Sequence, residues 1–221
     1  MSGAAASPAG RRVALTFDVE HPDRPTDPGV IEGILDLLER EAVPAFCFIQ
    51  GRWALAYPVL ARRIAVAGHG IGSHAHHHVP VPKLSATGLR QEIREAGDAV
   101  QEATGIDPRP WFRCPFGAGA AHARTTALLA ELGYGPSVPW DVDALDWDSA
   151  TAGEVEDRVV GGVRSATTDA VVLLHSWPAP TARALIGIVG RSRDAGVEFV
   201  PLDTIVERQA VSGSDEHFRR S

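Results

Sequence analysis

The stretch Val13-Ala14-Leu15-Thr16-Phe17-Asp18-Val19-Glu20 (VALTFDVE) starts as an apolar run and ends on two carboxylates. A near-continuous run of branched and aromatic residues is the pattern of a strand covered on both faces. Asp18 and Glu20 alternate around Val19, so in extended geometry both project to the same face. Two carboxylates on one face repel unless a cation or an arginine lies between them. A charged strand end open to water is the simpler account of the pair taken alone.

Outward from this strand, β-like and α-like runs alternate almost to the end of the chain. Strands are expected at Val13–Asp18, Ala45–Ile49, Gly70–His74, Trp111–Cys114, Gly135–Pro139, Val171–His175 and Val197–Leu202. Between them, helical spacing predicts Val30–Glu41, Pro58–Ala67, a long helix capped by Ser85 and stopped by Gly105, His122–Leu132, Glu154–Val163 and Thr181–Ala195, with a short helix Thr204–Gln209 at the end. Repeated βα units without hairpin signals imply a mostly parallel sheet with right-handed crossovers. Periodicity alone leaves a closed barrel and an open doubly wound sheet both available. Polar groups sit at five separate strand ends: Asp18 with Glu20, His74, Arg113, the acids after Pro139, and His175. Barrels gather functional groups at the C-terminal ends of many strands, whereas a doubly wound sheet concentrates them at one crevice. Five separate strand ends favour a ring, an α/β barrel over residues 13–209, with a flexible segment 1–12 before it and a polar tail 210–221 after it.

Composition narrows the classes. A chain of 221 residues with 44% hydrophobic and 22% charged residues is ordinary for a globular protein with a sizeable core. A net charge of −7 and the lack of any basic run argue against nucleic-acid or anionic-membrane partners. No window reaches the apolar length of a membrane span. The first residues, MSGAAASPAGRR, contain no apolar signal-peptide core, which predicts a cytoplasmic protein if Met1 is the native start. Cys47 and Cys114 lie far apart in apolar runs and read as buried thiols.

Five short constellations carry chemistry. IGSHAHHHVP (Ile71–Pro80) holds four histidines. His74 and His78 stand four apart, one helical turn if the loop coils, and imidazole is a favoured zinc ligand, with His76 and His77 then pointing elsewhere. A solvated histidine-rich loop fits the same residues. In WFRCPFGAG (Trp111–Gly119), Arg113 ends an apolar strand and needs a carboxylate partner, because an unpaired buried charge costs several kcal/mol, on the order of 3–5. It serves either a site or a structural salt bridge. WDVDALDWD (Trp140–Asp148) packs four aspartates and two tryptophans into nine residues. It reads as an acidic surface turn or as part of a site. VVLLHSWP (Val171–Pro178) closes a strand on His175, placed for proton transfer or for a hydrogen bond in the core.

Taken in order, these motifs resemble the polysaccharide deacetylase family (the NodB-homology domain, carbohydrate esterase family 4), whose members share a distorted (β/α)7 barrel. Thr16-Phe17-Asp18-Val19 stands where the family has TFDD, and His74-Ala75-His76-His77-His78 where it has H-[ST]-x-x-H. Arg113-Cys114-Pro115-Phe116 matches R-x-P-[FY], Asp143-Ala144-Leu145-Asp146-Trp147 matches D-x-x-D-W, and Leu173-Leu174-His175 matches L-x-H. The resemblance implies a general base in Asp18, kept ionised by Arg113, and a general acid in His175, held by Asp146. It implies a divalent metal on His74 and His78, commonly zinc, although two histidines and a carboxylate also suit iron, cobalt or nickel. Trp147, Leu173 and Trp177 would line the acyl pocket, and the Phe116 amide would face the oxyanion.

Two departures stand out. Val19 replaces the family's usual second aspartate, the carboxylate ligand, and cannot coordinate a metal. Some branches carry D-x-[DE] instead, a spacing that Asp18-Val19-Glu20 fits, so Glu20 is the expected third ligand and Asp18 the alternative. Ala75 removes a hydroxyl that commonly steadies the histidine loop. The implied activity is metal-dependent removal of an N-acetyl group from an amino sugar, with a small or oligosaccharide substrate. A deformylase or other C–N amidohydrolase is the enzymatic alternative. A lapsed barrel that binds sugar or metal is the non-enzymatic one.

Overall fold

A computed structural model describes residues 10–23, 27–148 and 151–206. Its elements, in chain order, are β1 (Arg12–Val19), α1 (Pro28–Arg40), β2 (Ala45–Ile49), α2 (Gly51–Ala56), α3 (Pro58–Val66), β3 (Gly70–Ser73), α4 (Ala86–Thr104), α5 (Ala123–Glu131), β4 (Val142–Asp143), α6 (Ala152–Ser165), β5 (Ala170–His175), α7 (Ala179–Asp194) and β6 (Glu198–Phe199). Residues 202–206 are helical as well. The strands run parallel in the order β3-β2-β1-β5-β4. β6 pairs with Arg12 and Val13 at the start of β1, below the point where β2 joins at Leu15.

β1 is the centre of the molecule, and its alternation builds two different environments. Val13, Leu15, Phe17 and Val19 pack with Ile31, Ile34, Leu35 and Leu38 of α1 and with Leu185 and Ile188 of α7 in the largest core cluster. Ala14 belongs to a second cluster with Phe46, Phe48, Val138 and Val171, on the inner side of the sheet. Thr16 and Asp18 follow on that inner face, and Glu20 continues it just past the strand end. Apolar burial supports the sheet from outside while the polar residues of the same strand climb inside toward the C-terminal mouth.

The architecture is the expected α/β barrel, and its distortion is specific. Beyond β3 the ladder continues only through a single bridge, Ser73 to Phe112. From there the Val138 N–H donates to the Phe112 carbonyl at 2.9 Å and the Asp141 N–H donates to the Val171 carbonyl at 2.8 Å. The sheet itself is therefore not closed, and irregular chain occupies the gap between β3 and β4.

Several element assignments are corrected. The expected strand Gly135–Pro139 is extended chain without a ladder of its own, and the paired segment lies further on, at Val142–Asp143. Trp111–Cys114 contributes one bridge residue instead of a strand. Val197–Leu202 is shorter as β6, and the helix α2 was not expected. The segment holding His74 and His78 is a loop, not a helical turn, because Ala75 (φ 58°) and His78 (φ 56°) are left-handed. The N-terminal boundary also moves: Arg12 already pairs with β6 and with the Asp169 carboxylate, and Arg11 donates to the Val163 carbonyl at 2.7 Å. Residues 1–9, residues 207–209 of the expected last helix and the whole tail 210–221 lie outside the described residues.

Helix ends follow local chemistry. Asp27 caps α1, Ser85 caps α4, and Gly105 ends α4 at φ 77°, a conformation that costs a glycine little. Thr151 and Glu154 form a reciprocal capping box at the start of α6.

Candidate active site

The inner face of β1 delivers Asp18 to a buried charge pair. Arg113 is wholly buried. It donates from Nη1 to Asp18 Oδ1 at 2.8 Å and to Thr16 Oγ1 at 2.9 Å, and from Nε to the Val138 carbonyl at 3.1 Å. Its guanidinium lies 4.1 Å over the Phe48 ring. Burial lowers the Arg113 pKa, and the Asp18 charge and hydrogen bond oppose that shift. These contacts satisfy Oδ1 and leave Asp18 Oδ2, 3.4 Å from His74 Nε2, as the oxygen nearer the cavity.

Glu20 is held differently. Its Oε1 accepts from the Trp177 indole N–H at 3.3 Å and lies 2.9 Å from His21 Nε2. Its Oε2 lies 2.5 Å from His78 Nε2 and 3.4 Å from His74 Nε2, yet the angles make no hydrogen bond, and both Glu20 Oε2 and His74 Nε2 are buried without such a partner. His74 Nδ1 is 3.0 Å from the Arg113 carbonyl, so that nitrogen carries a proton and Nε2 is the one turned to Glu20; burial opposes charge on the ring, but Asp18 and Glu20 raise its pKa. Burial would raise the Glu20 pKa, but the neighbouring His21, His74 and His78 rings hold it well below the usual carboxylate range. Burial lowers the His78 pKa, favouring the neutral ring that a metal requires. One carboxylate oxygen and two imidazole nitrogens within 4.8 Å of one another form a donor set suited to a divalent cation.

Across the cavity, His175 stands at the end of β5. Its Nδ1 is 2.7 Å from Asp146 Oδ1, and its backbone N–H and the Thr181 hydroxyl both donate to Asp146 Oδ2, at 2.8 and 2.6 Å. Burial opposes charge on this ring, yet the hydrogen bond and charge of Asp146, helped by Asp18 and Glu20, raise the His175 pKa to about 9. Its Nε2 is 3.9 Å from Glu20 Oε1.

A cavity of about 270 Å³ joins these groups and is lined by Asp18, Glu20, His78, Phe116, Trp147, Leu173, His175 and Trp177. His74, Arg113 and Asp146 stand behind it as buried side chains. All eleven residues singled out in the sequence therefore converge on one region. Phe116, at φ 59° and largely exposed, sets its ring 4.4 Å from His78.

Sequence reasoning missed His21, and it named Trp140 and Asp143 only within their motif, without a role; all three also line the cavity. It also missed Gln50, whose Oε1 accepts from the His21 N–H at 3.0 Å, and Thr181, and it gave Thr16 no role beyond its place in the first motif. Thr16 was legible in principle, since it shares the inward register of Asp18. Thr181 carried no signal, because only the packing of α7 brings it under Asp146.

Comparison with known proteins identifies the family. The family model for polysaccharide deacetylase matches residues 5–136, more than half of the chain. A peptidoglycan-N-acetylglucosamine deacetylase of Listeria monocytogenes is 34% identical over 195 residues, which cover 88% of this chain and 39% of that protein. The chain thus spans about two-fifths of that relative's length. Among solved structures, the Bc1960 peptidoglycan N-acetylglucosamine deacetylase superposes with a TM-score of 0.77 at 28% identity, covering 89% of each chain. A Bacillus anthracis pseudoenzyme of carbohydrate esterase family 4, BA3943, superposes at 0.74 with 25% identity, covering 86% of this chain and 64% of that one. This is a parallel α/β barrel of the carbohydrate esterase 4 type. The chain belongs to the polysaccharide deacetylase family, a family of hydrolases.

Proposed function

We propose that this protein is a metal-dependent N-deacetylase acting on an N-acetylated amino sugar. The observation that carries the reading is the convergence of Glu20 Oε2 and His74 Nε2, both buried and without a hydrogen-bond partner, with His78 Nε2. Burying such groups unpaired is costly, and a divalent cation between them removes that cost. Zinc is the first expectation for this donor set. A cation held there supplies Lewis acidity, which polarises an amide carbonyl and lowers the pKa of an attacking water.

The chain's own groups divide the proton work. Asp18, paired at Oδ1 with Arg113, takes the proton of the attacking water at Oδ2. His175 enters protonated because Asp146 holds Nδ1, and it gives the Nε2 proton to the leaving amine. Trp147, Leu173 and Trp177 enclose the acyl methyl, and the Phe116 amide faces the developing oxyanion. The half-buried Trp140 and half-exposed Trp147 offer ring faces to a sugar at the rim.

The relatives named above for peptidoglycan favour an N-acetylglucosamine unit, free or within a chain, as the substrate. The test is metal analysis together with deacetylation of N-acetylglucosamine, chitooligosaccharides and peptidoglycan fragments. Asp18→Asn and His175→Gln are expected to lower kcat by about 100-fold or more with metal retained. Glu20→Ala is expected to lose the metal. Full metal content and activity in Glu20→Ala would end the assignment of Glu20 as ligand. Val19 and the likeness to a pseudoenzyme favour one second reading, a barrel that binds without turnover. Metal-loaded protein inactive on every acylated substrate would select it.

A further inference from the structure

The two histidines between His74 and His78 belong to a separate cluster. One ring nitrogen each of His76 and His77 and one carboxylate oxygen of Glu95 lie within 4.8 Å of one another, on the side of the loop that packs against α4. Glu92, one turn before Glu95, organises this group. Its Oε2 accepts the backbone N–H of His76 at 3.0 Å and of His77 at 2.8 Å, and its Oε1 lies 2.6 Å from His77 Nδ1. A carboxylate at one ring nitrogen fixes the imidazole tautomer and leaves the other lone pair, here Nε2 of His77, available to a cation. Glu95 is steadied by the Gln91 amide, which donates to Oε1 at 2.7 Å.

His76 Nδ1 is buried against the Gly51 backbone without a hydrogen-bond partner, so Nε2 is the nitrogen this ring can offer to a cation. Arg52, whose charge acts on His76, is engaged by Asp23 at 2.8 Å.

We propose that His76, His77 and Glu95 bind a second divalent transition-metal ion of the zinc class. It would fasten the loop carrying His74 and His78 to α4. Two imidazoles and one carboxylate form a borderline donor set that favours such ions over calcium or magnesium. His77 is about half exposed, which gives the ion a direct path from solvent. The clamp stands where the loop contains Ala75 and has no side-chain hydroxyl of its own at that position. The inference rests on this cluster alone and not on the proposed catalytic role of the neighbouring residues.

The test is zinc titration by calorimetry, with thermal unfolding, on the full chain. Wild type is expected to bind two equivalents, and Glu95→Gln and His77→Ala one. A Glu20→Ala/His78→Ala protein, checked for folding by circular dichroism, should still bind one equivalent and gain thermal stability from it. Adding Glu95→Gln to that protein should weaken this binding at least tenfold and abolish the stabilisation. Unchanged zinc affinity after the Glu95 and His77 substitutions would overturn the proposal, as would a folded Glu20→Ala/His78→Ala protein that binds no zinc. If only the proposed catalytic ligands are misassigned, wild type binds one equivalent and Glu95→Gln binds none.

Discussion

Arg113 shows how much one side chain carries. It is a fully buried cation whose guanidinium touches Asp18, Thr16, the Val138 carbonyl and the Phe48 ring. Removing one member of a buried pair leaves the other charge without compensation, at about 3–5 kcal/mol. Arg113→Met is therefore expected to destabilise the protein by about that amount in urea unfolding. Adding Asp18→Asn should recover part of the loss, since the stranded carboxylate is then gone. A cost below about 1 kcal/mol would place the pair among weakly coupled ions such as exposed ones. At this scale the sequence was informative. An arginine closing an apolar run needs an acid, and Asp18 is the one that meets it.

Elements were legible where a local signal sets both ends. Ser85 and Gly105 bracket α4 as expected, because capping and a left-handed stop are chemistry of the chain itself. The box at α6 is of the same kind, but the sequence reading has no box there and starts that helix at Glu154, two residues late, since its apolar stripe begins after its cap. Thr151→Ala is expected to cost about 1 kcal/mol, read as a lower urea midpoint with an unchanged slope. Strands behaved differently. The segment 135–139 contains two prolines and is held by scattered bonds with Pro110, Phe112, Arg113 and Cys114 instead of a ladder. Val142–Asp143 becomes β4 because β5 lies beside it. Pairing partners are not written in the strand that is paired.

At the scale of the whole molecule, buried histidines make stability depend on pH in opposite senses. Burial lowers the pKa of His69, whose Nε2 has no hydrogen-bond partner, while Glu39 partly opposes the shift. A folded-state pKa below the unfolded value of about 6.5 means that the unfolded chain binds the proton more readily. Its stabilising share is present above that value and lost as pH falls through the folded pKa. His175, raised to about 9, has the opposite sign: its share is complete below about 6.5 and lost as pH rises through 9. His69→Phe isolates the first effect. Urea midpoints at pH 7 and pH 5 should differ less in this variant than in wild type, and an equal difference would remove His69 as a source.

The sequence by itself determined that Asp18 and Glu20 share one face of β1, the order of the chemical motifs and, for β1, β3 and β5, the strand ends on which they sit. These follow from strand alternation and from which residues tolerate burial. It left open which carboxylate faces the histidines, because Asp18 and Glu20 share one face and differ only in height. Tertiary structure decided that. Arg113, carried in by the bridge to β3, occupies Oδ1 of Asp18, while left-handed Ala75 and His78 turn the loop so that Glu20 Oε2 sits between two imidazoles. The physical reason is that spacing along a chain fixes direction, whereas distance between side chains on different strands depends on parallel register and loop conformation. Asp18 stands beside Phe48 on one side and His175 on the other only because β1, β2 and β5 pair in that register.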